Sequence, residues 1–145
     1  MDNTKIIGYT TGVYDMFHIG HLNVIRRAKE LCDYLIVGVS TDDLVLHEKK
    51  KTPVIPFEER IEIISSIKYV DQAVPQYDKN KFAAWEKYHF NKMFVGDDWK
   101  GTEAWNKFEE QFSKVGVEIV YLPHTDGISS TQLTETIKKL SEEKA

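Results

Sequence analysis

The sequence predicts an α/β fold of three layers, a five-stranded parallel sheet with helices on both faces. Three observations carry that reading. Short apolar runs rich in β-formers alternate, along the whole chain, with stretches whose apolar residues recur at helical spacing. Asp33-Tyr34-Leu35-Ile36-Val37-Gly38-Val39-Ser40 is nearly all apolar, as a parallel strand buried on both faces must be. Strands separated by helices form crossovers of one hand, which lay helices on both sides of the sheet. The 145 residues and 41% hydrophobic content suit a single domain, 1–145, with one compact core.

The first strand spans roughly residues 5–11 and the first helix about 19–32, with Leu22, Ile25 and Ala28 on one face. The second strand is 33–40. Thr41-Asp42-Asp43 then reads as a capped short helix or turn. Residues 47–56 are polar, end in Pro53 and Pro56, and read as a loop. An amphipathic helix follows over 57–67, then a third strand over 69–74, stopped by Pro75. A helix is expected around 82–89, with Phe82, Trp85, Tyr88 and Phe90 as core aromatics. Residues 92–95 form the fourth strand, 96–101 a loop, 103–114 a helix and 117–122 the fifth strand, ended by Pro123. The last helix covers 129–140, where Ser129 and Gln132 have the spacing of a capping box. Ligands of such sheets sit at the carboxyl ends of the strands, where the strand order reverses. The loops at 11–21, 96–101 and 123–131 all leave carboxyl ends.

Composition narrows the function. Charged residues make up 29% of the chain, with a net charge of −4, which argues against non-specific nucleic-acid binding. Against that acidic background Lys49-Lys50-Lys51 is a local basic patch. There is no N-terminal apolar run of signal-peptide length and no run long enough to span a bilayer. The single Cys32 excludes an intrachain disulfide or a cysteine metal cluster and reads as a buried helix-end residue. A reducing, cytoplasmic location fits.

The chain is organised around Thr11-Gly12-Val13-Tyr14-Asp15-Met16-Phe17-His18-Ile19-Gly20-His21. This is a strand-to-helix turn with a glycine near each end. A helix N-terminus carries unpaired N–H groups and partial positive charge, so it attracts phosphate. His18 and His21 are three residues apart and share one side of the first turn. Two imidazoles at a helix start make an anion site that can also donate a proton.

His18-Ile19-Gly20-His21 is the HxGH signature of nucleotidyltransferases that share a Rossmann-like fold, and Gly12-Val13-Tyr14-Asp15 resembles the Gly-Thr-Phe-Asp before it in their cytidylyltransferase branch. That branch includes glycerol-3-phosphate and phosphocholine enzymes. His124-Thr125-Asp126-Gly127-Ile128-Ser129-Ser130-Thr131 resembles the family's phosphate-holding Arg-Thr-x-Gly-Ile-Ser-Thr-Thr, with His124 in place of arginine as Val13 replaces threonine. Gly96-Asp97-Asp98-Trp99 resembles a stretch of the glycerol-3-phosphate enzymes. The resemblance covers about residues 5–139.

It implies a cytidylyltransferase that joins CTP to a small alcohol phosphate, glycerol phosphate being favoured, giving a CDP-alcohol and pyrophosphate. His18, His21 and Lys50 would be catalytic, with Lys49 or Lys51 able to serve instead of Lys50. Gly12, Val13, Tyr14, Gly20, Arg60, Asp98, His124, Thr125, Gly127, Ile128, Ser129, Ser130 and Thr131 would join the two histidines in holding the nucleotide. Asp98 would read the cytosine amine, whereas Asp97 would be structural; either aspartate is a candidate cap for the helix near 103. Lys49, Lys51, Lys79 and Lys81 would serve the substrates, the last two the acceptor's phosphate. Mg²⁺ would ride on the triphosphate, with Asp15 the nearest protein candidate to help. Lys68-Tyr69-Val70-Asp71 matches a segment near the family's subunit interface, which implies a homodimer. No nucleic acid or membrane partner is implied. An adenylyltransferase of the same fold, or a nucleotide-binding regulatory protein weak in turnover, remain the rival readings.

Overall fold

The computed structural model describes residues 5–123. Strand β1 (Ile7–Gly12) leads to helix α1 (Ile19–Glu30), and β2 (Tyr34–Ser40) to α2 (Asp42–Lys49) and α3 (Phe57–Ser65). Strand β3 (Gln72–Gln76) leads to α4 (Lys81–Tyr88). Strand β4 (Lys92–Gly96) passes through a 3₁₀ turn (Asp97–Trp99) to α5 (Glu103–Ser113), and β5 (Glu118–Leu122) follows. The sheet runs β3-β2-β1-β4-β5, every neighbouring pair parallel. Its order reverses between β1 and β4, so a crevice opens at their carboxyl ends. The expected three-layer, Rossmann-like α/β fold is what the chain adopts.

Alternation along the strands sorts the core into two faces. Leu35, Val37 and Val39 of β2 pack with Ile25 and Ala28 of α1 and Ile64 of α3. On the other face Tyr9 and Ile36 pack with Phe90, Trp105 and Phe112. Tyr9 stacks on Phe90 with ring centroids 4.7 Å apart and on Tyr88 at 5.8 Å. Phe82 and Trp85 pack against the same cluster, so the expected core role of these aromatics holds. Cys32 is half-buried just past α1, its thiol donating to the Ala28 carbonyl at 3.3 Å.

The structure shifts three boundaries. Helix α2 extends to Lys49, so the expected loop begins at residue 50 rather than 47. Thr41 caps the helix by accepting from the Leu44 N–H, and the buried Leu44 and Val45 hold it to the core. Pro75 does not stop β3; it lies inside the strand, in register with Val39. β3 is an edge strand, and an edge tolerates the missing N–H. The third strand starts at Gln72 rather than 69, because Asp71 is spent as a staple. Its carboxylate accepts from the Leu35 N–H at 2.8 Å and from Lys29 at 2.6 Å, tying the starts of β2 and β3 to α1. Of the expected loop at 123–131 only Pro123 is described; the nucleotide contacts expected of His124, Thr125, Gly127, Ile128, Ser129, Ser130 and Thr131 and the last helix lie outside the described residues.

Candidate active site

Helix α1 begins in a reciprocal box built from two imidazoles. His18 is the N-cap, and its Nδ1 accepts from the Gly20 N–H at 3.0 Å. The His18 N–H in turn donates to His21 Nδ1 at 3.3 Å. The usual box of this kind uses a hydroxyl and a carboxylate or amide. Here the rings stack, with centroids 4.0 Å apart. Each Nδ1 accepts, so the proton of each neutral ring resides on Nε2. His18 Nε2 is buried and has no hydrogen-bond partner among the described residues. Desolvation lowers the pKa of both rings. For His21 burial comes first and His18 second, with Asp15 opposing, and the value falls to about 4.

The loop before the box is shaped by strain and close approach. Tyr14 and Met16 both adopt left-handed backbone, at φ 55° and 51°, and each conformation costs on the order of 1 kcal/mol or more. Tyr14 folds its ring back over Gly12, where a Cβ would lie 2.8 Å from the ring. That contact explains the glycine. The Tyr14 ring is buried in the core and meets His21 edge-on at 5.5 Å. Tyr14, expected to touch the nucleotide, is therefore a wall behind His21 as far as its side chain goes. Gly20 is buried in the first turn of α1.

Arg60 stands apart from its expected place at the nucleotide. It is 1% exposed and spends its guanidinium on protein groups. Its Nη1 donates to the carbonyls of Val13 at 2.7 Å and Ser40 at 2.8 Å, its Nε to Ile55 at 2.8 Å, and its Nη2 pairs with Asp42 at 2.6 Å. Asp42 also accepts from the Phe57 N–H. The mild penalty of a cation in the first turn of a helix is offset by this buried pairing. Asp15 likewise departs from expectation: its two oxygens accept from the Val54 and Ile55 N–H groups at 2.8 and 2.9 Å. Together Arg60 and Asp15 lash the strap at 50–56 to the histidine loop.

That strap carries the lysines. Lys49 closes α2, Lys50 is its left-handed cap at φ 58°, and Lys51 follows, all three exposed. The structure thus mounts the basic patch beside the braced loop without pairing it to a carboxylate, among the described residues. Across the crevice, Asp98 and Trp99 lie in the 3₁₀ turn at the end of β4, both exposed. A Cβ on Gly96 would meet the Asp98 carboxylate at 2.7 Å, a contact that the exposed Asp98 side chain relieves by turning away. Neither aspartate caps α5; Thr102 does, accepting from the Trp105 N–H at 3.4 Å and donating to the Trp99 carbonyl at 2.8 Å. The chain leaving β5 is tied to α1 where Arg27 donates to the Pro123 carbonyl.

The two lysines expected at the acceptor part ways. Lys79 is exposed and paired with Glu48 at 2.9 Å. Lys81 is buried at the start of α4 and donates to Thr11 Oγ1 at 3.1 Å. Asp42 and Thr11, central to this geometry, carry no motif of their own. Asp42 looks like an ordinary first-turn acid, and only strand alternation, which puts Thr11 on the Tyr9 face, hints at the second. No group of three or more His, Cys, Asp or Glu among the described residues is placed to hold a metal ion. With Asp15 committed to the strap, the described residues offer no cage of their own for Mg²⁺.

Comparison with known proteins shows the family and the fold. A family model described as cytidylyltransferase-like matches residues 9–136. Glycerol-3-phosphate cytidylyltransferase of Bacillus spizizenii is 40% identical over 137 residues, covering 94% of this chain and 98% of that protein. The Staphylococcus aureus protein of the same name is 36% identical over 129 residues, covering 88% and 92%. Among solved structures, a lipopolysaccharide core biosynthesis protein from Thermoplasma volcanium superposes with a TM-score of 0.69 at 26% identity, covering 83% of this chain and 97% of that one.

Proposed function

The chain belongs to the cytidylyltransferase-like family, and from that premise we propose that it transfers the cytidylyl group of CTP to glycerol phosphate. An oxygen of the acceptor's phosphate attacks the α-phosphorus of CTP. The new O–P bond forms as the bond to the bridging oxygen breaks, and that oxygen leaves with pyrophosphate. The product is a CDP-alcohol. The observation that carries this reading is the twin-imidazole box at the point where the sheet order reverses.

Chemistry of this kind asks the protein for position and charge rather than for a covalent partner. The box supplies both. Its Nδ1 atoms are locked by backbone N–H groups, so the Nε2–H donors point from a fixed frame toward the phosphates. Both rings act as neutral Nε2–H donors, because the one remaining protonation site, Nδ1, accepts a backbone N–H and burial lowers both pKa values. Lys50, or a neighbour on the strap, adds charge to the α-phosphate, and Asp98 accepts from the cytosine amine. Val13 and Arg60 act on the loop's shape, since the Val13 carbonyl is Arg60's acceptor. Mg²⁺ arrives as part of the nucleotide substrate, liganded by phosphate oxygens. The remaining nucleotide contacts fall to the segment after Pro123.

The Gly-Asp-Asp-Trp turn and the identity to two glycerol-3-phosphate enzymes favour glycerol phosphate and CTP over ATP. No helix among the described residues is long and apolar enough to cross a membrane. A homodimer in the cytoplasm, feeding polymer precursor synthesis, completes the proposal. Pyrophosphate release is the test: CTP with glycerol 3-phosphate should turn over at least about tenfold faster than ATP, phosphocholine or phosphoethanolamine arms, by the margin one lost polar contact allows. Release with ATP alone would move the protein to the adenylyl branch, and release with none would leave a nucleotide-binding regulator.

A further inference from the structure

One face of the sheet changes character at its carboxyl end. On the side that α4 and α5 cover, the strand middles are apolar, with Tyr9, Ile36 and Val74 packed in the core. The following residues on that side are Thr11 of β1, Gly38 and then Ser40 of β2, and Gln76 of β3. Register sets Thr11 beside Gly38 and Ser40 beside Gln76. Lys81, the lysine expected at the acceptor's phosphate, joins this end from α4 through Thr11 Oγ1 at 3.1 Å.

Two buried polar groups lie there without a full set of partners among the described residues. Gln76 is 8% exposed; the Ser40 hydroxyl meets one end of its amide at 3.1 Å, and the other end has no partner. Tyr9 is 2% exposed, and its hydroxyl leans forward over Gly38, where a Cβ would lie 2.8 Å from it. Gly38 thus makes room for a hydroxyl that no described residue hydrogen-bonds. Burial raises the Tyr9 pKa, with Tyr88, Tyr14 and Asp78 adding to the rise, so the phenol keeps its proton and stays a donor. A buried donor without a partner is costly, and the cost disappears when a ligand supplies the missing acceptor.

We propose that Tyr9 and Gln76 set the choice of acceptor by hydrogen-bonding a free hydroxyl of its alcohol portion, which commits the site to a polyol phosphate. This rests on the transfer reaction proposed above. The substrate hydroxyl accepts from the Tyr9 phenol and meets the open end of the Gln76 amide. An amino-alcohol phosphate would instead bring a second cation toward the buried Lys81, and like charges repel. Neither Tyr9 nor Gln76 belongs to a sequence motif; strand alternation and register bring them to one place.

Acceptor choice is the test. With CTP, wild type should favour glycerol 3-phosphate over n-propyl phosphate, which has the same carbon chain and no hydroxyl, by about tenfold or more in kcat/KM, as two hydrogen bonds of ordinary worth predict. Tyr9→Phe and Gln76→Met should each cut that preference about threefold, and the double variant should bring it close to one. A merely structural role lowers kcat/KM for both acceptors alike and keeps the preference, which overturns the proposal; so does a wild type without preference. If Gln76→Met does not fold, Tyr9→Phe decides, since it removes one oxygen and keeps the ring on Phe90 and Tyr88: a reduced preference supports the site, and a kept one rejects it. Should wild type release no pyrophosphate from CTP with either acceptor, the transfer reading itself has failed. Calorimetric titration with the two phosphates then judges the site: tighter binding of glycerol 3-phosphate that weakens in Tyr9→Phe supports it, and equal binding, or none, rejects it.

Discussion

Helices α1 and α5 follow the carboxyl ends of the adjacent strands β1 and β4 and pack on opposite faces of the sheet, and different chemistry caps them. At α5 one threonine suffices: Thr102 accepts from the Trp105 N–H, and the turn before it leaves Trp99 and Asp98 exposed. At α1 two imidazoles share the work, and behind them stand a folded-back tyrosine, a buried arginine and the 50–56 strap. A hydroxyl cap uses up its acceptor and offers little else. The imidazole of His18 caps with Nδ1 and leaves its Nε2 without a partner among the described residues. On the proposed function the helix backbone positions the reactive nitrogens, so that fold and chemistry share the same two side chains. The β4 turn, proposed to meet the base, carries no such bracing among the described residues.

Exchanging the caps is the strongest way to break that comparison. His18→Ser combined with His21→Glu restores an ordinary capping box, so the melting temperature should stay within about 5 °C of wild type. Turnover should nevertheless fall by about 100-fold or more, the scale of losing a charge-stabilising donor. Turnover within about tenfold of wild type would reduce the imidazoles to caps alone.

Acid sharpens it next. His21 has a folded pKa of about 4 against an ordinary value of 6.5, because burial disfavours its charged form and His18 adds to that penalty, with Asp15 opposing. Between these values the unfolded chain binds the extra proton, so stability falls as pH falls. The His21 contribution to that fall should be about 2 kcal/mol between pH 7 and 5, read from urea unfolding. His21→Gln should flatten the slope over that window, leaving the carboxylates to act at lower pH. An unchanged slope would show that the ring titrates freely.

The smallest effect is expected at α5. Thr102→Ala should cost about 1 kcal/mol, the ordinary worth of a hydroxyl cap, with no pH dependence between 7 and 5. Turnover at saturating CTP should be unaltered, as measured by pyrophosphate release. A large drop in turnover would mean that the β4 turn needs bracing after all.

Most of the fold was legible before any coordinates. Strand and helix order followed from periodicity, and the histidine pair followed from three-residue spacing at a helix start. The crevice between β1 and β4 was foreseeable as a place where loops converge. Some misreadings have local causes. Pro75 was read as a strand stop because its tolerance depends on lying at an edge, which is a property of the assembled sheet. Asp97 and Asp98 looked like caps because they and Thr102, four residues past Asp98, compete equally well in sequence.

What the sequence determined by itself is whatever depends on near neighbours: element type, the α1 box, and the glycine that lets Tyr14 fold back. What only the tertiary structure decided is the choice of partners far along the chain. Arg60 and Asp15 carry the residue types of a nucleotide site, yet one reaches Val13 and Ser40 and the other ties down Val54 and Ile55. Lys79 and Lys81 are chemically alike and two residues apart, yet one lies in water against Glu48 and the other is buried against Thr11. A charged side chain takes its role from the dielectric and the partners around it, and those exist only once the layers close.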